Sequence, residues 1–218
     1  MNPEFWHERW AANQIGFHQQ EINDHLQKHW HGLDLPAGSR ILVPLCGKSL
    51  DMLWLREQGH AVVGIEISPL AVAAFFRENA LTPDIREEAG YSCWSFDRLE
   101  IYCGDFFQLH ATELGTLDGC YDRAALVALP ETLRPRYAAH LAGLLPPASR
   151  GLLVTMEYPQ PEMHGPPFAV PRQEVSRLFS GQFDIDHLDQ FDALAANPSF
   201  RERGLSGLTE HVWSLRRR

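Results

Sequence analysis

The stretch RILVPLCGKSLDMLWLREQGHAVVGIEIS, residues 40–68, constrains the fold of this chain more than any other. ILVPL is a continuous apolar run, the pattern of a strand covered on both faces. The helical segment after Lys48 carries Leu50, Leu53 and Trp54 on one side and stops at Gly59, a natural left-handed cap. AVVGIEIS is then a second buried strand. Strand, turn, helix and strand in this order open a parallel α/β sheet, and such sheets bind ligands at the carboxyl ends of their strands.

The rest of the chain continues the alternation. Ser68 followed by Pro69 is a helix start, with cap and first-turn proline in order, and that helix is expected to run to about Asn79. YSCWSFDRLEIYCGDFF reads as two strands joined at Asp97-Arg98, and LDGCYDRAALVAL as a further strand ending near Asp122. A helix from around Glu131 or beyond Pro135 to Leu145 leads to the strand RGLLVTMEY. FDIDHLDQF and TEHVWSL close the chain as strands separated by a loop, an antiparallel pair on an otherwise parallel sheet. Ahead of the sheet, residues 2–12 read as a helix with Phe5, Trp6 and Trp10 supplying apolar contacts. A break at Asn13 to Phe17 precedes a second helix through about Trp30. The expectation is one α/β domain over residues 1–218. Residues 1–35 form a helical cover over the ligand site, and the proline-rich segment within 157–171 roofs the pocket beside the fifth strand.

Bulk properties narrow the function. A formal net charge of −9 disfavours non-specific contact with nucleic acid or an anionic membrane, and the terminal Arg216 to Arg218 run reads as a solvated tail. No apolar run approaches the roughly 20 residues that span a bilayer, and MNPEFWHERW lacks a signal-peptide apolar region. Cys46, Cys93, Cys103 and Cys120 have no zinc-ligand spacing and read as thiols in a reducing compartment, hence a cytoplasmic protein. His25 and His29 would share a helix face, but no carboxylate or cysteine at matching spacing completes a metal set. No metal is expected, and with no long unpaired apolar surface the chain reads as a monomer.

The ligand follows from two positions. Glu66 stands at the end of the second strand, nineteen residues past Gly47, where a carboxylate commonly accepts hydrogen bonds from both hydroxyls of a ribose. Burying it in VVGIEIS without such a partner would be costly. The turn PLCGKS offers Gly47 for one close approach, but proline and leucine stand where a pyrophosphate-binding turn needs glycine, and the Walker spacing is absent. A nucleoside ligand without phosphate fits this turn, and S-adenosylmethionine is such a ligand. Asp105 and Phe106, at the next strand end, suit an adenine: an acceptor for its amino group and a ring for its face. Asp122 and Arg123 arrive at the following strand end, nearer the reacting centre, with Arg123 expected to touch ligand. Trp10 and Phe17 flank AANQIG, and their rings can attract a sulfonium cation.

GFHQ, PLCGKS, VVGIEIS, YCGDFF, DRAALVAL and GPPFAVP occur in the order found in thiopurine S-methyltransferases, the bacterial branch especially, and the chain resembles that family over roughly residues 5–190. The resemblance implies a seven-stranded class I methyltransferase fold using S-adenosylmethionine. It implies cofactor contacts at Trp10, Leu45, Glu66 and Arg123, adenine contacts at Asp105 and Phe106, and acceptor contacts at Phe17 and Arg123. After Phe191 the match loosens, and Arg201 or Arg203 stands as the counterpart of a substrate-side arginine. The implied reaction is methyl transfer to the sulfur of a small aromatic or heterocyclic thiol. Selenium or tellurium compounds are rival acceptors, and a non-catalytic nucleoside-binding module or a dinucleotide-dependent dehydrogenase is a rival function.

Overall fold

Burial on both faces sets the middle of the sheet. The computed structural model of the chain describes residues 3–88 and 90–218. Its strands are β1 (Arg40–Pro44), β2 (Ala61–Glu66), β3 (Asp84–Glu88), β4 (Tyr91–Phe96), β5 (Leu99–Cys103), β6 (Gly119–Arg123), β7 (Arg150–Glu157), β8 (Phe183–Asp192) and β9 (Thr209–Arg217). Ile41, Leu42 and Val43 of β1 and Val62, Val63 and Ile65 of β2 are all buried. β1 pairs in parallel with β2 and β6, β2 with β5, and β6 with β7. β9 then inserts antiparallel between β7 and β8.

The seven strands β5-β2-β1-β6-β7-β9-β8 form the expected sheet, and β3 and β4 extend it antiparallel beyond β5 to nine. The strands meeting at Asp97-Arg98 are β4 and β5, with Asp97 in the left-handed region at φ 53°. β3 is the strand that the sequence did not disclose. Its residues, DIREE, are exposed throughout, so no alternation toward a core marks them. Charges on an outermost strand discourage further edge pairing.

The helices are α1 (Pro3–Ala11), α2 (Asp24–His29), α3 (Asp51–Glu57), α4 (Pro69–Glu78), α5 (Ala111–Leu114), α6 (Arg134–Leu144), α7 (Arg172–Phe179) and α8 (Pro198–Glu202). α4 starts as expected: Ser68 caps it by accepting from the Ala71 amide, and Pro69 fills the first turn. α3 is rotated from the expected face. Met52 and Leu55 are fully buried, while Leu50, Leu53 and Trp54 are half-buried. Asp51 turns inward with them, accepting from the Asn23 amide at 2.8 Å and the Tyr121 hydroxyl at 3.0 Å. A polar residue that finds buried partners looks like a surface residue in sequence, which is why the apolar stripe misplaced this face. α5, α7 and α8 were not anticipated; all three are short.

α2 explains the histidines. His25 and His29 do lie one turn apart, and each meets a carboxylate from the last two strands of the sheet: Glu210 of β9 at 2.7 Å and Asp189 of β8 at 3.3 Å. Cys46, Cys93 and Cys120 are buried, Cys103 is half-buried, and all four are free thiols. Among the described residues no helix is long and apolar enough to cross a membrane.

Asp122 and Arg123 part company at the end of β6. Successive strand residues point to opposite faces, and Asp122 turns into the core, where Oδ1 accepts from the Leu126 amide at 3.2 Å and Oδ2 from the Tyr137 hydroxyl at 2.6 Å. Asp122 is therefore a structural residue and not part of the site. Burial raises its pKa to about 6 from 3.8 despite these two donors. A raised acid ionises at a cost in the folded chain, so this group's contribution to stability falls as pH rises from about 4 through 6. Asp122→Asn is expected to gain on the wild type by on the order of 3 kcal/mol between pH 4 and pH 7, checked by urea unfolding at both pH values. A difference that does not change with pH would contradict it.

Candidate functional site

At the carboxyl ends of β1, β2, β5, β6 and β7 lies a cavity of about 580 Å³. It is lined by the turns after those strands, by α1 as a cover, by the proline-rich loop and by the segment around α8. A second hollow of about 750 Å³ lies behind the proline-rich loop. Its polar side chains mostly satisfy one another, as Arg134 does with Glu174 at 2.7 Å and Arg177 with Glu131 at 3.2 Å. The first cavity instead holds an arginine, Arg123, that has no hydrogen-bond or ion-pair partner among the described residues.

Its floor is the PLCG turn. Leu45 (φ 48°) and Gly47 (φ 54°) both lie in the left-handed region; a leucine there is strained, by about 1–3 kcal/mol. Gly47 is needed for space as well, because a Cβ on it would stand 3.2 Å from the Trp10 ring. The Glu66 carboxylate ties this turn to β2: Oε2 accepts from the Gly47 amide at 2.9 Å and Oε1 from the Ser68 amide at 2.8 Å. Burial pushes its pKa up, and the Ser68 and Gly47 amides pull it part of the way back. A carboxylate has about four lone-pair sites, so two remain for a ligand that enters the cavity.

Beside this floor, Asp105 caps the short turn Phe106–Gln108 by accepting from the Phe107 amide at 3.0 Å. Phe106 is buried against Tyr137 and His140. Opposite stands an aromatic wall in which Trp6 and Trp10 both meet Phe17 edge to face, at 5.7 and 5.6 Å. His7 anchors that cover to the sheet through the Ile67 carbonyl at 3.1 Å. Arg123 closes β6 and lines the cavity; among the described residues its guanidinium has no hydrogen-bond or ion-pair partner. Ala124, which follows it, is also held at positive φ, 68°.

Trp10, Phe17, Leu45, Gly47, Glu66, Asp105, Phe106 and Arg123 thus all line one cavity. Of the two C-terminal arginines, Arg203 lines it beside Phe200 and Arg201 does not. Pro166 and Pro167 contribute to its wall, held by the Tyr158 hydroxyl, which donates to the Pro167 carbonyl at 2.6 Å. Sequence reasoning missed Arg9, Arg136, Met156 and Glu210. Arg9 and Arg136 lie on helix faces that read as solvated, Met156 closes β7 at the cavity, and Glu210 is brought beside it because β9 pairs with β7.

The cavity combines carboxylates, arginines and aromatic rings, which suits a cationic or polar ligand at the strand ends. The family model for thiopurine S-methyltransferase (TPMT) matches residues 1–218. Thiopurine S-methyltransferases of Pseudomonas aeruginosa and Nitrosospira multiformis are 51% and 50% identical; each alignment covers at least 98% of both chains. Among solved structures, the chain is similar to a 1,6-didemethyltoxoflavin N1-methyltransferase of Burkholderia thailandensis that holds S-adenosylhomocysteine. That match has a TM-score of 0.63 at 18% identity and covers 99% of this chain and 86% of the other. A TehB-like S-adenosylmethionine-dependent methyltransferase of Corynebacterium glutamicum matches with a TM-score of 0.57 at 16% identity, covering 99% and 98%. These likenesses establish the class I methyltransferase fold.

Because both Glu66 oxygens accept backbone amides, an amide side chain there turns one –NH2 toward an N–H. Glu66→Gln is expected to lower the unfolding free energy by about 1–3 kcal/mol, measured by urea denaturation. An unchanged midpoint would show that the carboxylate does not hold the turn.

Proposed function

The chain belongs to the thiopurine S-methyltransferase family, and from that membership we propose that it transfers a methyl group from S-adenosylmethionine to the sulfur of an aromatic or heterocyclic thiol such as a thiopurine. One observation carries the reading: a buried carboxylate at the end of β2 sits 2.9 Å from the amide of the single glycine in a turn that has no phosphate cradle. The residues present fit such a donor. Glu66 takes the ribose hydroxyls on its remaining lone pairs, Asp105 the adenine amino group, and Phe106 the adenine face. Leu45 and Gly47 give close backbone approach, and Trp10 lies across Gly47 as the aromatic cover.

S-adenosylmethionine, when bound, supplies a methyl group already activated by its sulfonium. The chain then has to hold an acceptor in line and keep water out, which together contribute on the order of 7 kcal/mol or more. Phe17 and the proline-rich loop wall the acceptor side. Arg123 binds at the junction of donor and acceptor, where an unpaired guanidinium stabilises a thiolate or a neighbouring anionic group. Arg203 supplies a second positive charge on that side. The reading extends to a protein of a reducing compartment such as the cytoplasm, supported by four free thiols.

Calorimetric titration with S-adenosylmethionine, S-adenosylhomocysteine and NAD tests the donor: the first two are expected to bind and NAD not to. A panel of thiopurine, aryl thiol, selenium and tellurium acceptors then ranks the substrate. Arg123→Ala is expected to lose about 100-fold or more in kcat while its Tm stays within about 2 °C of the wild type, since a surface-type change costs little stability. Unchanged kinetics, or a variant that unfolds, would overturn the role given to Arg123.

A further inference from the structure

The cavity holds a carboxylate that the donor does not use. Glu210, in β9, lines it on the side of Met156, Phe200 and Arg203, away from Glu66 and Asp105 in the sheet order. Its Oε2 accepts from His25 Nε2 at 2.7 Å; a carboxylate can only accept, so the imidazole carries its proton on that nitrogen. Oε1 has no hydrogen-bond partner among the described residues. His25 is itself fixed. It is buried on α2, its amide is capped by Asn23, and its ring lies 4.5 Å from that of Phe191. The other charged groups lining this side are Arg123 from β6 and Arg203 past α8. The strand neighbour His211 turns away, to His187 at 3.1 Å and Glu157 at 3.3 Å. Lys28 and His29 of α2 are committed to Asp189.

A pair between the α2 helix and an inner strand needs no place on a cavity wall. This one has such a place, and it keeps one oxygen open. We propose that Glu210, positioned by His25, is the group that takes the proton from a thiol acceptor, which lets the enzyme methylate thiols that are still protonated at neutral pH. The inference rests on the proposed methyl transfer and adds the acceptor class. In the step, the acceptor S–H bond breaks and its proton passes to Glu210 Oε1. The electron pair left on sulfur forms the new bond to the methyl carbon as that carbon's bond to the sulfonium sulfur breaks. His25, donating to Oε2, keeps the open oxygen aimed at the cavity and is a positioning residue.

Two acceptors test it on the full-length protein: an electron-poor aryl thiol fully ionised at pH 7, and an alkyl-type thiol such as benzyl mercaptan that keeps its proton. Glu210→Gln is expected to lose about 100-fold in kcat/KM on the protonated thiol, the lower range for a general base, and less than about 5-fold on the ionised one. Its kcat/KM on the protonated thiol should climb tenfold per pH unit up to the thiol's own pKa, because only free thiolate reacts. The wild type should reach its plateau at lower pH. S-adenosylhomocysteine titration should give the variant a Kd within about twofold of the wild type, showing an intact donor site. If Glu210→Gln fails that titration, Glu210→Asp, which keeps the charge but withdraws it by one methylene, is read on the same pair and should lose selectively on the protonated thiol. Equal losses on both acceptors, or none, overturn the proposal and leave the methyltransferase intact. A wild type active on the ionised thiol alone overturns it too. A wild type that methylates neither acceptor overturns the underlying function.

Discussion

Everything at the mouth of the sheet depends on the carboxylate of Glu66 and the two amides it accepts. With one oxygen on Gly47 and the other on Ser68, it joins the turn after β1 to the end of β2 and the start of α4. The Cys46 amide, which donates to the Ile65 carbonyl at 2.9 Å, shares in holding this turn, where Leu45 and Gly47 stand at positive φ. The carboxylate is costly to bury, since desolvation raises its pKa while the amides only partly offset this. The fold accepts that cost at one strand end, beside the cavity, where a polar ligand can take up the lone pairs that remain.

Around this anchor, the cavity is divided by sheet position. The acids Glu66 and Asp105 follow β2 and β5 on one half, whereas Met156 and Glu210 come from β7 and β9 on the other. Arg123 ends β6, between the two halves, and among the described residues its guanidinium has no hydrogen-bond or ion-pair partner. The cover helix α1 has no buried residue of its own; Trp10 lies over the Gly47 turn, and His7 bonds to the Ile67 carbonyl just past β2. A cover held so lightly is suited to letting reactants in and excluding water once they are seated.

Most of the sheet was legible because the information was local. ILVPL and AVVGIEIS are buried on both faces and say so in four or five consecutive apolar residues, and Ser68-Pro69 states its own helix start. Glu66 was legible as a charge in an apolar frame. β3 was not, because an exposed edge strand needs no apolar pattern, and neither was the true face of α3, where buried Asp51 is satisfied by Asn23 and Tyr121 from distant parts of the chain. The same limit hid Glu210. Its threonine-glutamate-histidine setting reads as an ordinary solvated strand, and only the insertion of β9 between β7 and β8 brings it to the cavity. The choice between Arg201 and Arg203 likewise waited on the short helix α8, past whose end Arg203 lines the cavity.

The most direct measurement is a crystal structure with S-adenosylhomocysteine bound. The expected result is a ribose whose two hydroxyls lie within hydrogen-bond distance of the Glu66 carboxylate, with the Gly47 and Ser68 amides still donating to it. A ligand seated elsewhere, or a ribose held by other residues while Glu66 keeps only its backbone partners, would contradict it.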